Sequence, residues 1–103
     1  MEVFFTNTNL EKLYAGLPVT GKLKYSNQVI EKFKAKVEIL KNVESSNELK
    51  NFRSLNFEAL KGDKKGLYSI RVDFKYRLVF TIEKNKIKLS EIIFIDNLSN
   101  HYK

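Results

Sequence analysis

The fold is decided by one stretch, Leu60 to Phe80, which reads LKGDKKGLYSIRVDFKYRLVF. Apolar and polar residues alternate on both sides of a short turn at 73–75, which is the period-two pattern of half-buried strands. A hairpin that keeps both apolar sets on one face can adopt only one register. We therefore predict that Ile70 lies opposite Leu78.

The same register places Arg71 directly opposite Arg77 on the other face of the hairpin. Like charges that face each other across two strands destabilise a sheet. A carboxylate or a bound anion between the two guanidinium groups would remove this cost. The pair formed by Arg71 and Arg77 is therefore the first candidate functional feature, as a site for an anion.

The positive charge of the chain is concentrated around this hairpin. The formal net charge is +7, and residues 61–88 contain nine basic side chains against three acidic ones. A polyanion suits such a patch, and nucleic acid is favoured over a membrane because no basic amphipathic helix dominates. Lys64, Lys65 and Lys75 are the candidate RNA contacts; the alternative is a solvated, lysine-rich surface.

The remaining pattern predicts an α+β fold in one domain that spans residues 1–103. The expected architecture is a short N-terminal strand, two helices packed on one sheet face, and an antiparallel sheet of about four strands. The predicted elements are a strand at 2–6, helices capped by Thr8 and Ser26, a helical turn after Ser45, and strands at 56–60, 67–73, 76–83 and 87–95. Apolar residues at helical spacing predict the buried stripes, which are Leu10, Leu13, Tyr14 and Leu17 in the first helix and Val29, Ile30, Phe33, Val37 and Leu40 in the second. The alternation of the last strand is irregular near 90–91, where we expect a bulge, and a polar tail is expected at 97–103.

Several classes of protein are excluded by what the sequence lacks. There is no cysteine for a disulfide or a thiolate site, and a single histidine without an HExxH pattern argues against a catalytic metal. No apolar run approaches the ~20 residues of a membrane span, and no signal-peptide pattern is present. We expect no cofactor, no metal, no membrane partner and a cytoplasmic location.

The side chains that remain are sufficient for one reaction, the cleavage of RNA by its own 2′-hydroxyl. Arginines aimed at the phosphate stabilise the charge that develops in the transition state. His101 is a natural proton donor or acceptor, and Lys61 becomes a base only if its pKa is lowered. Tyr68 and Tyr102 are candidates to stack on a base or donate a proton. The alternatives are core packing for Tyr68 and a simple tail position for His101.

The segments LKGDKKGLYSI at 60–70 and YRLVF at 76–80 resemble the RelE/ParE toxin superfamily, and its HigB type most closely. The resemblance implies a RelE-like fold and a toxin of a type II toxin–antitoxin pair. It further implies a metal-independent, ribosome-dependent endoribonuclease (mRNA interferase) whose partners are mRNA and 16S rRNA. It also implies a HigA-like, helix-turn-helix antitoxin. The toxin would then be held at operator DNA only through this antitoxin.

The resemblance also implies a set of catalytic residues. Lys61 and Arg77 match the basic active-site residues of the family, and Arg71 occupies a position that is often basic in relatives. His101 resembles the C-terminal histidine of HigB-type proteins. Tyr102 follows that histidine here, which departs from the order of residues in the family.

Two other functions remain open from the sequence. A ParE-like protein would inhibit DNA gyrase without nuclease activity, and a basic RNA-binding module would cut nothing. The presence of Lys61, Arg71 and Arg77 favours the nuclease, because a gyrase inhibitor has no need to stabilise a pentavalent phosphate.

Overall fold

The computed structural model describes residues 1–19, 21 and 24–100, and its secondary structure confirms the predicted α+β class. Short 3-10 turns cover 46–51, 53–55 and 62–64. In the described part of the chain, no helix is long and apolar enough to cross a bilayer. The main elements are β1 (Glu2–Phe5), α1 (Thr8–Ala15), α2 (Asn27–Asn42), β2 (Glu58–Ala59), β3 (Tyr68–Arg71), β4 (Arg77–Asn85) and β5 (Ser90–Ser99).

The strands form one five-stranded sheet in the order β1-β5-β4-β3-β2. The pairs β2–β3, β3–β4 and β4–β5 are antiparallel, as predicted. β1 joins the far edge in parallel with β5, so the N-terminal strand belongs to the same sheet. The strand predicted at 56–60 is shorter than expected, because only Glu58–Ala59 pair with β3.

The predicted register of the central hairpin is confirmed. Ile70 lies opposite Leu78, and Arg71 lies opposite Arg77. The carboxylate of Asp73 closes the turn by accepting the backbone N–H groups two and three residues further on, at 2.8 and 2.7 Å. An aspartate at this position therefore has a structural role in the turn.

β5 differs from its predicted course. It was expected to end at residue 95 with an irregularity near 90–91, but it continues to Ser99 and its bulge lies at Asp96, which has no partner on β4. The extra residue lets Ile95 and Leu98 both face the core although they are three positions apart. The segment interpreted as a polar tail thus contains a buried strand residue.

The two helices cover one face of the sheet. The predicted apolar stripe of α2 is buried, and the hydroxyl of Ser26 accepts the backbone N–H of Val29 at the start of that helix. α1 is capped by Asn7, whose side chain accepts the N–H of Leu10, so the predicted capping residue Thr8 is instead the first helical residue. Leu17, which was predicted to continue the buried stripe of α1, is exposed.

Residues alternate between the two faces of the sheet, and only one face lies against the helices. We call this the core face; it contributes Ile70, Val72, Leu78, Phe80, Ile93 and Ile95 to the main hydrophobic cluster. The opposite face, which we call the outer face, has a different composition. By strand register it carries Glu2, Phe4, Glu58, Ser69, Arg71, Arg77, Val79, Thr81, Glu83, Ile92, Phe94, Asn97 and Ser99.

Candidate active site

Arg77 is the centre of a polar cluster on the outer face. Its side chain is 1% exposed, so its guanidinium must find hydrogen-bond partners inside the protein. Nε donates to the hydroxyl of Ser69 at 2.9 Å, and Nη2 donates to the carbonyl of Ser69 at 3.3 Å and to the carbonyl of Asn56. These contacts hold the guanidinium in one orientation across β3.

The backbone segment before β2 contacts the Arg77 guanidinium. Asn56 has a left-handed backbone (φ 44°), which asparagine tolerates better than most residues. Its carbonyl accepts from Arg77, while its amide donates to Oε1 of Glu58 at 3.1 Å. Oε2 of Glu58 lies 4.0 Å from Nη2 of Arg77, and the Glu58 side chain is 43% exposed. A carboxylate is thus oriented at the edge of a buried guanidinium and remains open to solvent.

The sequence interpretation missed Glu58 and Asn56. Glu58 lies opposite Ser69 in the sheet register, which places it on the same face as Arg77. Extending the predicted hairpin register by one strand would have identified Glu58. Asn56 gave no usable signal, because its role depends on the direction of a backbone carbonyl.

The two arginines that the register places opposite each other are not equivalent. Arg71 is exposed, whereas Arg77 is buried among carbonyls, a hydroxyl and Glu58. The cost of facing like charges is thus reduced by the protein groups around Arg77. Arg71 is the one that can reach a ligand, and Arg77 orients the cluster.

Lys61 lies two residues after β2, at the start of the glycine-bounded turn. Gly62 and Gly66 have φ values of 69° and 97°, a backbone region that side chains rarely adopt. Between them a single 3-10 turn leaves Lys61 and Lys65 exposed and Lys64 half-buried. The turn therefore presents cations just beyond β2, beside the strand that carries Glu58.

The other RNA-binding candidates lie elsewhere. Tyr68 is on the core face, where its ring stacks on Phe57 and Phe80 at centroid distances of 5.8 and 6.4 Å, so it does not join the cluster. Lys75 is exposed in the hairpin turn, with Nζ 5.8 Å from the ring centroid of Tyr76.

Two of the catalytic candidates, His101 and Tyr102, lie outside the described residues. Within residues 1–19, 21 and 24–100, no three histidine or acidic side chains come together as a metal site. The chemistry that the described cluster offers is therefore that of one carboxylate and several cations: proton transfer and the binding of an anion.

Comparison with known proteins identifies the family. The sequence model of the HigB-like toxins, described as RelE-like toxins of type II toxin–antitoxin systems, matches residues 4–96. No curated protein sequence gives a significant match.

Solved structures share the fold at low sequence identity. A YoeB/ParE toxin from Agrobacterium tumefaciens is 17% identical with a TM-score of 0.62, and the match covers 99% of this chain and 100% of that one. A YoeB-YefM complex from Staphylococcus aureus contains a chain that is 22% identical with a TM-score of 0.59, with 99% and 98% covered. On the family match, this chain belongs to the HigB-like family of RelE-like toxins.

Proposed function

We propose that this protein is the toxin of a type II toxin–antitoxin pair and that it cleaves mRNA on the ribosome. The observation that carries the proposal is the outer-face cluster. A solvent-accessible carboxylate, Glu58, is held 4.0 Å from a buried guanidinium, with the exposed Arg71 on the neighbouring strand. These are the groups that internal attack by a 2′-hydroxyl requires: a base, and cations for the phosphate.

In this mechanism Glu58 accepts the proton of the 2′-hydroxyl as its oxygen attacks the adjacent phosphorus. Arg71 and Lys61 bind the non-bridging oxygens, and their contacts strengthen as negative charge develops on the phosphorane. Arg77 is a positioning residue, because it acts by orienting Glu58. The bond to the 5′-oxygen then breaks, and His101 or Tyr102 supplies the proton to that leaving group.

The remaining cations extend the binding surface. Lys64 and Lys65 lie on the turn before β3 and Lys75 lies on the turn after it, so they would contact RNA phosphates at the two ends of that strand in a salt-dependent way. We include mRNA and 16S rRNA as partners on this basis, and we place the protein in the cytoplasm with the ribosome. Tyr68 is left out of the site because its ring packs on the core face.

The neutralising partner is an antitoxin. Structures similar to this one include a YoeB toxin bound to YefM in S. aureus, which supports a protein partner for this fold. The HigB-like family match supports a HigA-like, helix-turn-helix antitoxin, through which the toxin would be held at operator DNA.

The test is induction of the wild-type protein in cells, followed by mapping of mRNA 5′ ends. We expect cuts in translated messages that keep the phase of the codons. Arg71→Ala should abolish them, whereas Lys32→Ala, which removes an exposed cation on α2, should cut like the wild type. A DNA-damage response without cuts would favour gyrase inhibition instead. Absence of growth arrest would favour a non-catalytic RNA-binding module.

A further inference from the structure

The outer face carries a stacked aromatic pair at some distance from the arginines, of which Phe4 is exposed and Phe94 is half-buried. Phe4 on β1 lies opposite Phe94 on β5, and the two rings are stacked with centroids 5.7 Å apart and planes at 25°. Phe4 is 47% exposed. Neither ring belongs to the cluster that packs under the helices. A stacked ring pair with one ring open to solvent on a sheet surface is the kind of platform on which proteins bind unpaired bases.

The pair is on the same sheet face as Arg71 and within reach of an RNA bound there. Phe94 lies beside Thr81 in the register, and Thr81 is four residues along β4 from Arg77. At the rise of a strand this separation is about 14 Å along the sheet, and Arg71 on β3 is two strands away from Phe94 on β5, so the phosphate site and the ring pair are about 17 Å apart. An extended single strand whose phosphate is held by Arg71 can cover that distance within a few nucleotides.

Two carboxylates border the ring pair on the side away from the arginines. Glu2 and Glu83 are both exposed, and both lie opposite Ile92, one row beyond Phe4 and Phe94. Carboxylates repel phosphates, so this row disfavours continuation of the RNA backbone past it. Carboxylates do accept hydrogen bonds from the exocyclic amino groups of bases, such as N4 of cytosine. Uracil has no amino group to donate.

We propose that Phe4 and Phe94 form a subsite for one base near the cleaved bond, and that Glu2 and Glu83 make it prefer amino-bearing bases over uracil. This inference rests on the proposed nuclease function. It divides the outer face into three parts: cations that bind phosphate, rings that stack on a base, and acids that end the RNA footprint and select the base.

The experiment is to sequence cut sites on ribosome-bound mRNA for the wild type and for matched aromatic variants. The wild type should show depletion of uridine at one fixed position close to the cut. Phe94→Ala and Phe4→Ala should lose this depletion and cleave about tenfold more slowly, as expected for one lost stacking contact. Phe52→Ala removes a comparably exposed ring (42%) from outside this face and should behave like the wild type.

Two further variants separate stacking from folding and from base selection. Phe4→Leu keeps apolar packing without an aromatic face, so it should retain the thermal unfolding midpoint and still lose the depletion. The double variant Glu2→Ala/Glu83→Ala should also accept uridine at that position.

The inference is overturned if the wild type cleaves without uridine depletion, or if Phe94→Ala matches Phe52→Ala in both rate and sequence preference. If the Phe4 and Phe94 variants cleave normally but escape neutralisation by the antitoxin, the ring pair is a protein contact and the subsite is wrong. Failure of the wild type to cleave at all would instead overturn the proposed function, and the subsite with it.

Discussion

The same short hairpin contributes to the core face and to the outer face of the sheet. The core face stabilises the fold, whereas the outer face carries the candidate active site. On the core face Ile70, Leu78 and Phe80 are fully buried beneath the helices. On the outer face, neighbours of these residues in the sequence build a polar cluster around Arg77. Side chains alternate along a strand, so a residue that packs in the core is followed in the sequence by a residue that belongs to the polar cluster. The two functions should therefore be separable by single substitutions.

The largest effect on stability is expected on the core face. Phe80→Ala removes a fully buried ring that stacks on Phe57 and Tyr68, and it should lower the free energy of unfolding by about 3–5 kcal/mol. Phe4→Ala on the outer face is the control and should cost much less, because that ring is half exposed. Denaturant unfolding measures both, and equal losses would contradict the division between the faces.

The second test compares the two arginines. Arg77→Ala leaves the carbonyls of Asn56 and Ser69 without their donor, so it should cost about 2–3 kcal/mol of stability as well as activity. Arg71→Ala should change stability by less than about 0.5 kcal/mol and slow cleavage about 100- to 1,000-fold. Unfolding and cleavage are measured on the same samples. If Arg77→Ala were as stable as Arg71→Ala, the buried cluster would have no structural role.

The third test concerns the exposed carboxylate of the cluster. Glu58→Gln keeps the shape of the side chain but cannot accept a proton, so cleavage should fall about 100- to 10,000-fold. Stability should change little, since the side chain is largely solvated. A Glu58→Gln variant with wild-type rates would exclude Glu58 as the base.

The smallest effect is expected at the edge of the core, at Tyr25. Its hydroxyl donates to the carbonyl of Leu98 at 2.9 Å. Burial, and secondarily the neighbouring Tyr76, raises the pKa of Tyr25 above its ordinary value of 10.0. The folded state then binds this proton more tightly than the unfolded state does. The resulting stability is complete below about pH 10 and is lost as the pH rises toward the folded pKa.

Tyr25→Phe tests the direction of this pH dependence of stability directly. The variant should be about 1 kcal/mol less stable at neutral pH, because one hydrogen bond is lost. The difference between wild type and variant should shrink as the pH rises above about 10. Denaturant midpoints measured across that range decide the question, and a difference that widens with pH would contradict the raised pKa.

The sequence predicted the parts of the fold that depend on periodicity. The alternation from 67 to 83 specified the hairpin register, and the spacing of apolar residues after Ser26 specified the buried face of α2. The bulge was predicted near 90–91 and lies at Asp96, because Ile95 and Leu98 are three apart and break the period-two alternation that identifies a strand. Only pairing with β4 shows that both are core residues.

In the candidate site, too, some features follow from the sequence pattern and others only from the tertiary structure. Alternation alone determined that Arg71 and Arg77 share a face, because the alternating apolar residues of the two strands must be buried on the other face. Tertiary structure decided that Arg77 is buried and Arg71 is exposed. That difference comes from Asn56 and Glu58, which β2 brings alongside from about 20 positions earlier in the chain. Local patterns fix which side of a strand a residue occupies, whereas the partners it finds there come from distant segments.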